Sequence, residues 1–217
     1  MTAWSKRLGE TWPQSWEAIV ATDIGQIVLN LSAFYEFAGK TVVAVGAGGG
    51  QLVEYARPAR QVIAIDRDGA ALERLAARLH ECGLTDKFSL VAADLLDVRP
   101  RGDVVLFEFC LHQMADPKRA LAHARELAPD VLVIDHAPGS LWEWYAAEDG
   151  QVEAGWRAVE RAKVRRQQSV EAWQLFPDYA ALEARLALQG PVSLEVIGRY
   201  RGESAIAIPM PYRLALL

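Results

Sequence analysis

The sequence has little cysteine and no long apolar run, and both absences exclude classes of protein. Its 217 residues include two cysteines, Cys82 and Cys110, and neither belongs to a CxxC pair. The sequence therefore offers no zinc or redox motif, and we expect no metal. No stretch approaches about 18 uninterrupted apolar residues, so no membrane-spanning helix is predicted. The first residues also lack the apolar core of a signal peptide, and together these features predict a cytoplasmic protein.

The sequence also has no large excess of acidic or basic residues, since the formal net charge is only −5. A mildly acidic chain has no positive field to gather nucleic acid, so we expect neither a nucleic-acid nor a membrane partner. Hydrophobic residues make up 52% of the sequence, which is enough to bury one sizeable core. Residues 1–217 are therefore predicted to form a single domain, whose oligomeric state the composition does not indicate.

From residue 41 onward, short β-rich runs alternate with longer helical runs. Continuous Val, Ile and Leu runs are typical of strands that are covered on both faces. Strands that alternate with helices imply right-handed crossovers and a parallel sheet. The predicted strands are Thr41–Val45, Gln61–Ile65, Phe88–Ala92, Val104–Phe109 and Val131–Ile134, and the predicted helices are Gln51–Ala56, Asp68–Glu81 and Pro117–Leu127.

The end of the chain has a different pattern. Val192–Tyr200 and Ser204–Ile208 are two β-rich runs around Gly202, and they predict a hairpin that Pro209 and Pro211 should end. The predicted fold is therefore α/β, with a mostly parallel sheet that ends in an antiparallel hairpin. Four segments follow from this division: a helical N-terminal cap (1–40), a sheet core (41–136), a helical insertion (137–190) and the terminal hairpin (191–217).

A glycine-rich turn follows the first predicted strand, in the run Thr41-Val-Val-Ala-Val-Gly-Ala-Gly-Gly-Gly-Gln51. Glycines permit positive φ there and let a ligand approach the backbone, while the next N–H groups are free to bind it. A dinucleotide-binding fingerprint has glycine at its first, third and sixth positions. Counted from Gly46, the sixth position is Gln51, which disfavours a nicotinamide cofactor.

The GxGxG spacing of Gly46, Gly48 and Gly50 resembles that of class I S-adenosylmethionine-dependent methyltransferases, in particular those that act on small molecules. Two acids follow in the matching order, Asp66 at the end of the second predicted strand and Asp94 just after the third. The resemblance implies a Rossmann-like, doubly wound sheet and S-adenosyl-L-methionine as cofactor, with Asp66 on the ribose and Asp94 on the adenine amine. The cofactor-binding residues it predicts are Gly46, Ala47, Gly48, Gly50, Asp66, Arg67, Asp94, Leu95, Phe107 and Glu108.

One position departs from the family pattern. The family usually has Asp or Glu two residues before the first glycine, where it helps to hold the amino-acid end of the cofactor, but Ala44 stands here. Losing one charge-assisted contact weakens binding by about 1.5–3 kcal/mol unless another group replaces it.

Four candidates for catalysis lie at the ends of the fourth and fifth predicted strands, where such sheets bind ligands. They are Glu108, His112, Asp135 and His136. Methyl transfer from a sulfonium is a direct displacement, so the protein mainly aligns the reactants and excludes water. A base is needed only where the acceptor must lose a proton.

The tryptophans all lie outside the stretch between residues 17 and 141. Large aromatics bury much area and form flat walls, so we predict that the N-terminal segment and the insertion cover the acceptor pocket. The predicted pocket residues are Trp12, Trp16, Tyr35, Trp142 and Tyr145.

Three functions remain open from the sequence. The first is a methyltransferase whose partner is a small-molecule acceptor. The second is a non-catalytic adenosyl-ligand binding protein or partner subunit, which Ala44 keeps open. The third is a nicotinamide-dependent oxidoreductase, against which Gln51 counts.

Overall fold

A mostly parallel sheet forms the centre of the structure. The computed structural model describes residues 24–187 and 191–217. In these ranges the strands are β1 (Thr41–Val45), β2 (Gln61–Asp66), β3 (Phe88–Ala92), β4 (Val104–Glu108), β5 (Asp130–His136), β6 (Arg166–Val170), β7 (Trp173–Asp178), β8 (Ser204–Pro209) and β9 (Tyr212–Leu216). The helices are α1 (Ile24–Phe34), α2 (Gly69–Cys82), α3 (Pro117–Leu127), α4 (Leu141–Tyr145), α5 (Asp149–Arg161), α6 (Tyr179–Leu186) and α7 (Pro191–Val196).

The order of the strands in the main sheet is β3-β2-β1-β4-β5-β9-β6. Strands β1 to β5 run parallel, and β9 lies antiparallel between β5 and β6. This confirms the predicted fold class. The chain moves outward from β1 to β3 and then returns to β4 on the other side of β1. Such sheets bind ligands outside the carboxyl ends of their strands at this switch point, so β1 and β4 mark the site.

Two layers of helices cover the sheet because alternate strand residues point to opposite faces. On one face, Val42 and Ala44 pack with apolar residues of α1 and α2. On the other face, Val43 and Val45 pack with residues of α3 and α5. A third cluster joins α4, α6 and α7 to the small sheet of β7 and β8. Full burial of β1 and β4 on both faces explains their uninterrupted apolar sequence.

The predicted terminal hairpin is wrong in its residues, although the sheet does end in antiparallel pairing. Residues 191–196 form α7 and Gly198–Tyr200 a 3₁₀ turn, because Pro191 suits a first helical turn and Leu194 and Ile197 pack on the third cluster. Strand β8 pairs with β7 instead. Pairing also continues past Pro211 into β9, since a proline just outside a strand removes no ladder hydrogen bond.

The insertion over residues 137–190 is not wholly helical as predicted, because it contains β6 and β7. Strand β6 has the sequence Arg-Gln-Gln-Ser-Val and is almost entirely exposed at the sheet edge. It therefore lacks the alternation of apolar and polar residues by which a strand is recognised in a sequence.

The other predicted elements differ only at their ends. The predicted helix Gln51–Ala56 is a 3₁₀ turn over Val53–Ala56. Helix α2 begins after Asp68, whose side chain accepts a hydrogen bond from the Ala70 amide, and ends at Gly83 with φ of 66°. This is the predicted stop. Within the described residues, no helix has both the length and the apolar character needed to cross a membrane.

Candidate active site

The glycine turn after β1 forms the floor of the site at the switch point. Gly46, Gly48 and Gly50 have φ values of 69°, 50° and 77°, in the left-handed region that favours glycine. An added Cβ on Gly46 would lie 2.6 Å from the Cys110 sulfur, whereas one on Gly48 would come no closer than 3.8 Å to the Gly46 carbonyl. The open face of the turn is therefore at Gly48, where a ligand can approach the backbone.

We expect Gly46→Ala to destabilise the protein more than Gly48→Ala does. Both changes place a side chain at positive φ, which costs about 1–2 kcal/mol. Only the first also forces a methyl group against Cys110, and overpacking adds about 1–3 kcal/mol. Urea unfolding of the two variants measures the difference. Equal losses of unfolding free energy would contradict the close packing of Gly46 on Cys110.

The larger of two neighbouring cavities lies over the ends of β2 and β3 and has a volume of about 680 Å³. Its polar wall includes Asp66 and Asp94. The Asp66 carboxylate accepts hydrogen bonds from the Gly48 and Asp68 amides, each at 3.0 Å, which fixes its orientation at the glycine turn. Each carboxylate oxygen has a second lone pair for a ligand hydroxyl. Asp94 accepts from the Leu96 amide at 2.9 Å, and its other oxygen lies 4.0 Å from Arg67.

Most of the predicted cofactor residues lie around these cavities. Those in the wall of the larger one are Gly46, Gly48, Asp66, Arg67, Asp94 and Leu95. Ala47 and Glu108 line the smaller one. Gly50 and Phe107 line neither cavity and stay predictions. A Cβ added to Gly50 would lie 2.7 Å from Leu75, and Phe107 is buried among the residues of the opposite sheet face. Phe109, two residues further, lines both cavities.

The smaller cavity, of about 390 Å³, lies between the glycine turn and the ends of β4 and β5. Its apolar wall includes Ile24, Ile27, Leu52, Trp142 and Met210. Its polar residues include Glu108, His112, His136, Glu148, Gln174 and Arg185. It shares Gly46, Gly48, Phe109, Gln113 and Arg185 with the larger cavity. A ligand that extends over the glycine turn can therefore contact both.

His112 and Asp135 form a buried pair in this wall. The His112 Nδ1 lies 2.6 Å from Asp135 Oδ1, and the His112 amide donates to Oδ2 at 3.1 Å. The His112 Nε2 lies 3.6 Å from a Glu148 oxygen. Burial opposes a charge on the ring, but the hydrogen bond to Asp135 and the nearby Glu148 carboxylate outweigh it and raise the pKa of His112 to about 10. His112 is therefore an imidazolium at neutral pH.

His136 closes the same side of the cavity. Its ring lies 5.0 Å from that of Phe109 and 5.5 Å from that of His112, between centroids. Burial lowers the pKa of His136, so its ring is neutral, and its Nδ1 has no hydrogen-bond partner among the described residues. In the same ranges, no three His, Cys, Asp or Glu side chains are grouped as metal ligands. Three of the four predicted catalytic candidates, His112, Asp135 and His136, therefore lie together on this side of the cavity.

Glu108, the fourth candidate, faces the cavity from the end of β4. It is buried, and its Oε1 accepts a hydrogen bond from the Tyr55 hydroxyl at 2.9 Å. Burial raises the pKa of this carboxyl to about 8, because no cation compensates for the lost hydration. Tyr55, in the 3₁₀ turn that follows the glycines, is a residue that the sequence analysis did not single out.

The predicted acceptor-pocket residues are only partly in place. Trp142 lines the smaller cavity. Tyr35 does not line this cavity, because its hydroxyl donates to Asp130 at 2.6 Å. Asp130 begins β5, so Tyr35 lies near the amino ends of the parallel strands, opposite the site. Tyr145 is fully buried, with its hydroxyl 3.2 Å from that of Tyr200. Trp12 and Trp16 lie outside the described residues.

Several cavity residues were missed by the sequence analysis. Glu148 and Arg185 come from the insertion, whose path over the sheet has no local signal in the sequence. The Arg185 guanidinium lies 5.6 Å from the centroid of the Trp142 ring. Within the described ranges it forms no ion pair, so the cavity has an exposed cation at its rim.

The fold and the glycine–aspartate site resemble those of class I, Rossmann-like S-adenosylmethionine-dependent methyltransferases. Residues 43–130 match the family model described as a methyltransferase domain. The match spans β1 to the start of β5, which includes the glycine turn, Asp66 and Asp94. The cofactor that this domain implies is S-adenosyl-L-methionine, as predicted. No curated protein sequence matches the chain.

Solved structures share the fold at low identity. A candidate methyltransferase from Bacillus halodurans has a TM-score of 0.61 at 15% identity, over 89% of this chain and 97% of its own. A methyltransferase dependent on S-adenosylmethionine from Aquifex aeolicus has a TM-score of 0.54 at 16% identity, over 90% and 89%. The cyclase SpnF also has a TM-score of 0.61, at 15% identity, over 88% and 78%. At these identities the likeness establishes the fold alone.

Proposed function

We propose that the protein transfers the methyl group of S-adenosyl-L-methionine to an oxygen atom of a small-molecule acceptor, which is bound as its anion beside His112. The observation that carries the proposal is the His112–Asp135 pair in the wall of the cavity next to the glycine turn. An imidazolium held between two carboxylates is a strong hydrogen-bond donor to an oxyanion. The residues around the larger cavity suit the adenosyl part of the cofactor.

The cofactor supplies a methyl group that its sulfonium already activates, so the residues need only position the acceptor and keep water out. Asp66 would accept the ribose hydroxyls, and Asp94 the adenine amine. The open backbone at Gly48 would allow the close approach that the chain from ribose to methionine requires. Asp135 holds His112 in place through one hydrogen bond to the ring Nδ1 and one to the backbone amide.

His112 keeps the acceptor oxygen anionic until the bond to carbon forms. The acceptor oxygen donates an electron pair to the methyl carbon, the carbon–sulfur bond breaks, and its pair stays on sulfur. The acceptor has already lost its proton to solvent. The proton between Nε2 and the acceptor oxygen belongs to His112, and it remains there when the neutral methyl ester or ether leaves.

The small volume of the smaller cavity and its two cationic side chains support the choice of a compact, acidic acceptor. Its volume of about 390 Å³ is near the lower end for small-molecule sites. Besides His112, Arg185 provides a second positive charge at the rim, stacked over Trp142. An acceptor with a carboxylate or an acidic phenol and a flat apolar body fits both features.

We expect Trp142→Phe to raise the Michaelis constant for the acceptor by about 3- to 10-fold. The affinity for S-adenosylhomocysteine should not change, because Trp142 lines only the smaller cavity. Trp142 is 2% exposed and stacks on Phe176, so we also expect a loss of about 1–2 kcal/mol in unfolding free energy. Trp144→Phe is the matched control on α4, since Trp144 is 49% exposed. Equal kinetic effects of both changes would show that Trp142 is not part of the acceptor pocket.

The proposed function is tested with S-adenosylmethionine labelled in its methyl group and four panels of small acceptors: carboxylic acids, phenols, amines and thiols. We expect labelled product only from the oxygen acids, with one equivalent of S-adenosylhomocysteine per methyl group. Transfer to amines or thiols alone would overturn the choice of acceptor atom. Cofactor binding with no transfer to any panel would favour the non-catalytic alternative. The cytoplasmic location and the absence of nucleic-acid and membrane partners stay predictions.

A further inference from the structure

The position that usually carries an acid in this family is closed to any ligand here. Ala44 is fully buried and packs with Val42 and the α1 and α2 residues on one face of the sheet. Its neighbour across the sheet is Leu106 on β4. No carboxylate therefore projects from β1 towards the glycine turn.

Glu108 projects from the same face of the sheet, one strand away. Side chains alternate along a strand, so Glu108 points to the side of Leu106 and Ala44, away from that of Phe107. It lies beside the glycine turn, since the nearest atoms to an added Cβ on Gly46 include the Glu108 carbonyl at 3.6 Å. It also lines the smaller cavity together with Gly46, Ala47 and Gly48.

The charge of Glu108 has no counter-ion in the described part of the chain. Its hydrogen bond comes from the neutral Tyr55 hydroxyl, and no lysine, arginine or histidine pairs with it there. A buried carboxylate without a cation is destabilising, and such a group is retained where a ligand supplies the missing charge. A ligand cation that reaches the smaller cavity over the glycine turn meets this carboxylate.

We propose that Glu108 binds the α-ammonium group of the cofactor's methionine end, and so replaces the acid that is absent at position 44. Tyr55 is then a positioning residue, because its hydroxyl holds one carboxylate oxygen and leaves the other for the ammonium group. The inference rests on the cofactor use proposed above. It assigns Glu108 to cofactor binding and leaves the acceptor side of the cavity to His112.

Binding should then depend on pH through Glu108. In the free protein, burial holds the Glu108 carboxyl neutral below about pH 8. The ammonium group binds only the ionised form, so the affinity rises with pH up to that value. The other titratable or charged groups around Glu108 are Tyr55, Asp66, Cys110, His112, His136, Glu148 and Arg185.

Calorimetry with two ligands tests the inference: S-adenosylhomocysteine, and its deamino analogue, which keeps the carboxylate. We expect Glu108→Gln to weaken binding of the first by about 10- to 100-fold and to leave the second unchanged. For the wild-type protein, the affinity for S-adenosylhomocysteine should rise by about tenfold or more between about pH 6 and about pH 8.5, relative to the affinity for the deamino analogue. That comparison needs no variant.

Controls separate this inference from a structural role. Glu36→Gln changes an exposed glutamate just before β1, far from the glycine turn, and should alter neither affinity. Glu108→Gln should melt at or above the wild-type temperature at about pH 8, since glutamine still accepts from Tyr55 and carries no buried charge. Equal weakening of both ligands, or of neither, would overturn the inference. If the wild-type protein bound no S-adenosylhomocysteine at all, the cofactor assignment itself would fail.

Discussion

Replacing His112 with glutamine should lower kcat for methyl transfer by about 100-fold or more while the affinity for S-adenosylhomocysteine stays the same. Glutamine fills most of the ring's volume but carries no positive charge for the acceptor oxygen. His112 lines only the smaller cavity, so its loss leaves the adenosyl contacts in place. Steady-state kinetics and calorimetry on the same preparation measure the two effects. A parallel loss of cofactor affinity would contradict the separation of the two cavities.

The pH profile should identify the protonated form of His112 as the active one. With a carboxylate acceptor and saturating S-adenosylmethionine, kcat/KM for the acceptor should be flat through neutral pH and should fall as His112 loses its proton near pH 10. Asp135→Asn removes a contact that raises this pKa, so the falling limb should move to lower pH. His112→Gln should lack the limb altogether. A rate that rises towards pH 10 would show instead that neutral His112 acts as a base on a protonated acceptor.

Replacing Asp66 with alanine should weaken cofactor binding by about 2–4 kcal/mol, or about 30- to 1000-fold in Kd. The change removes the acceptor for the ribose hydroxyls. It also releases the Gly48 amide, which donates to Asp66 at 3.0 Å and helps to shape the turn. Calorimetric titration with S-adenosylhomocysteine measures the loss.

Two further variants interpret the Asp66 result. Asp66→Asn keeps one acceptor oxygen for a backbone amide and should lose less affinity than Asp66→Ala, because part of the turn geometry survives. Asp86→Asn, in an exposed 3₁₀ turn before β3, should bind as tightly as the wild-type protein. An unchanged dissociation constant for Asp66→Ala would show that this carboxylate does not contact the ribose.

Residues near the glycine turn were predictable because their signals are local. Asp66 ends β2 and Asp94 comes just after β3, and parallel strands bring their carboxyl ends to one edge. The same rule brought His112 and Asp135 together from adjacent strands β4 and β5. Alternation along β4 places Phe107 on the sheet face opposite Glu108, as the strand's sequence already implies.

The remainder of the site depends on tertiary packing that no short pattern encodes. Glu148 and Arg185 reach the cavity only because α4, α6 and the small sheet of β7 and β8 pack together. Strand β9 joins the main sheet through pairing with β5, far away in sequence, and its flanking proline suggested the opposite. Tyr35 is an aromatic residue with a polar tip, which suggested a pocket residue, but its hydrogen bond to Asp130 places it at the opposite end of the strands from the site.

Calorimetric titration of the wild-type protein with S-adenosylmethionine, S-adenosylhomocysteine and NAD tests the central claim most directly. The Gly46–Gly48 turn, Asp66 and Asp94 line a cavity suited to an adenosyl group, while Gln51 departs from the dinucleotide spacing. We therefore expect both adenosyl ligands to bind with one site per chain, and NAD to give no measurable heat of binding. Clear binding of NAD, with none for S-adenosylmethionine, would contradict the account.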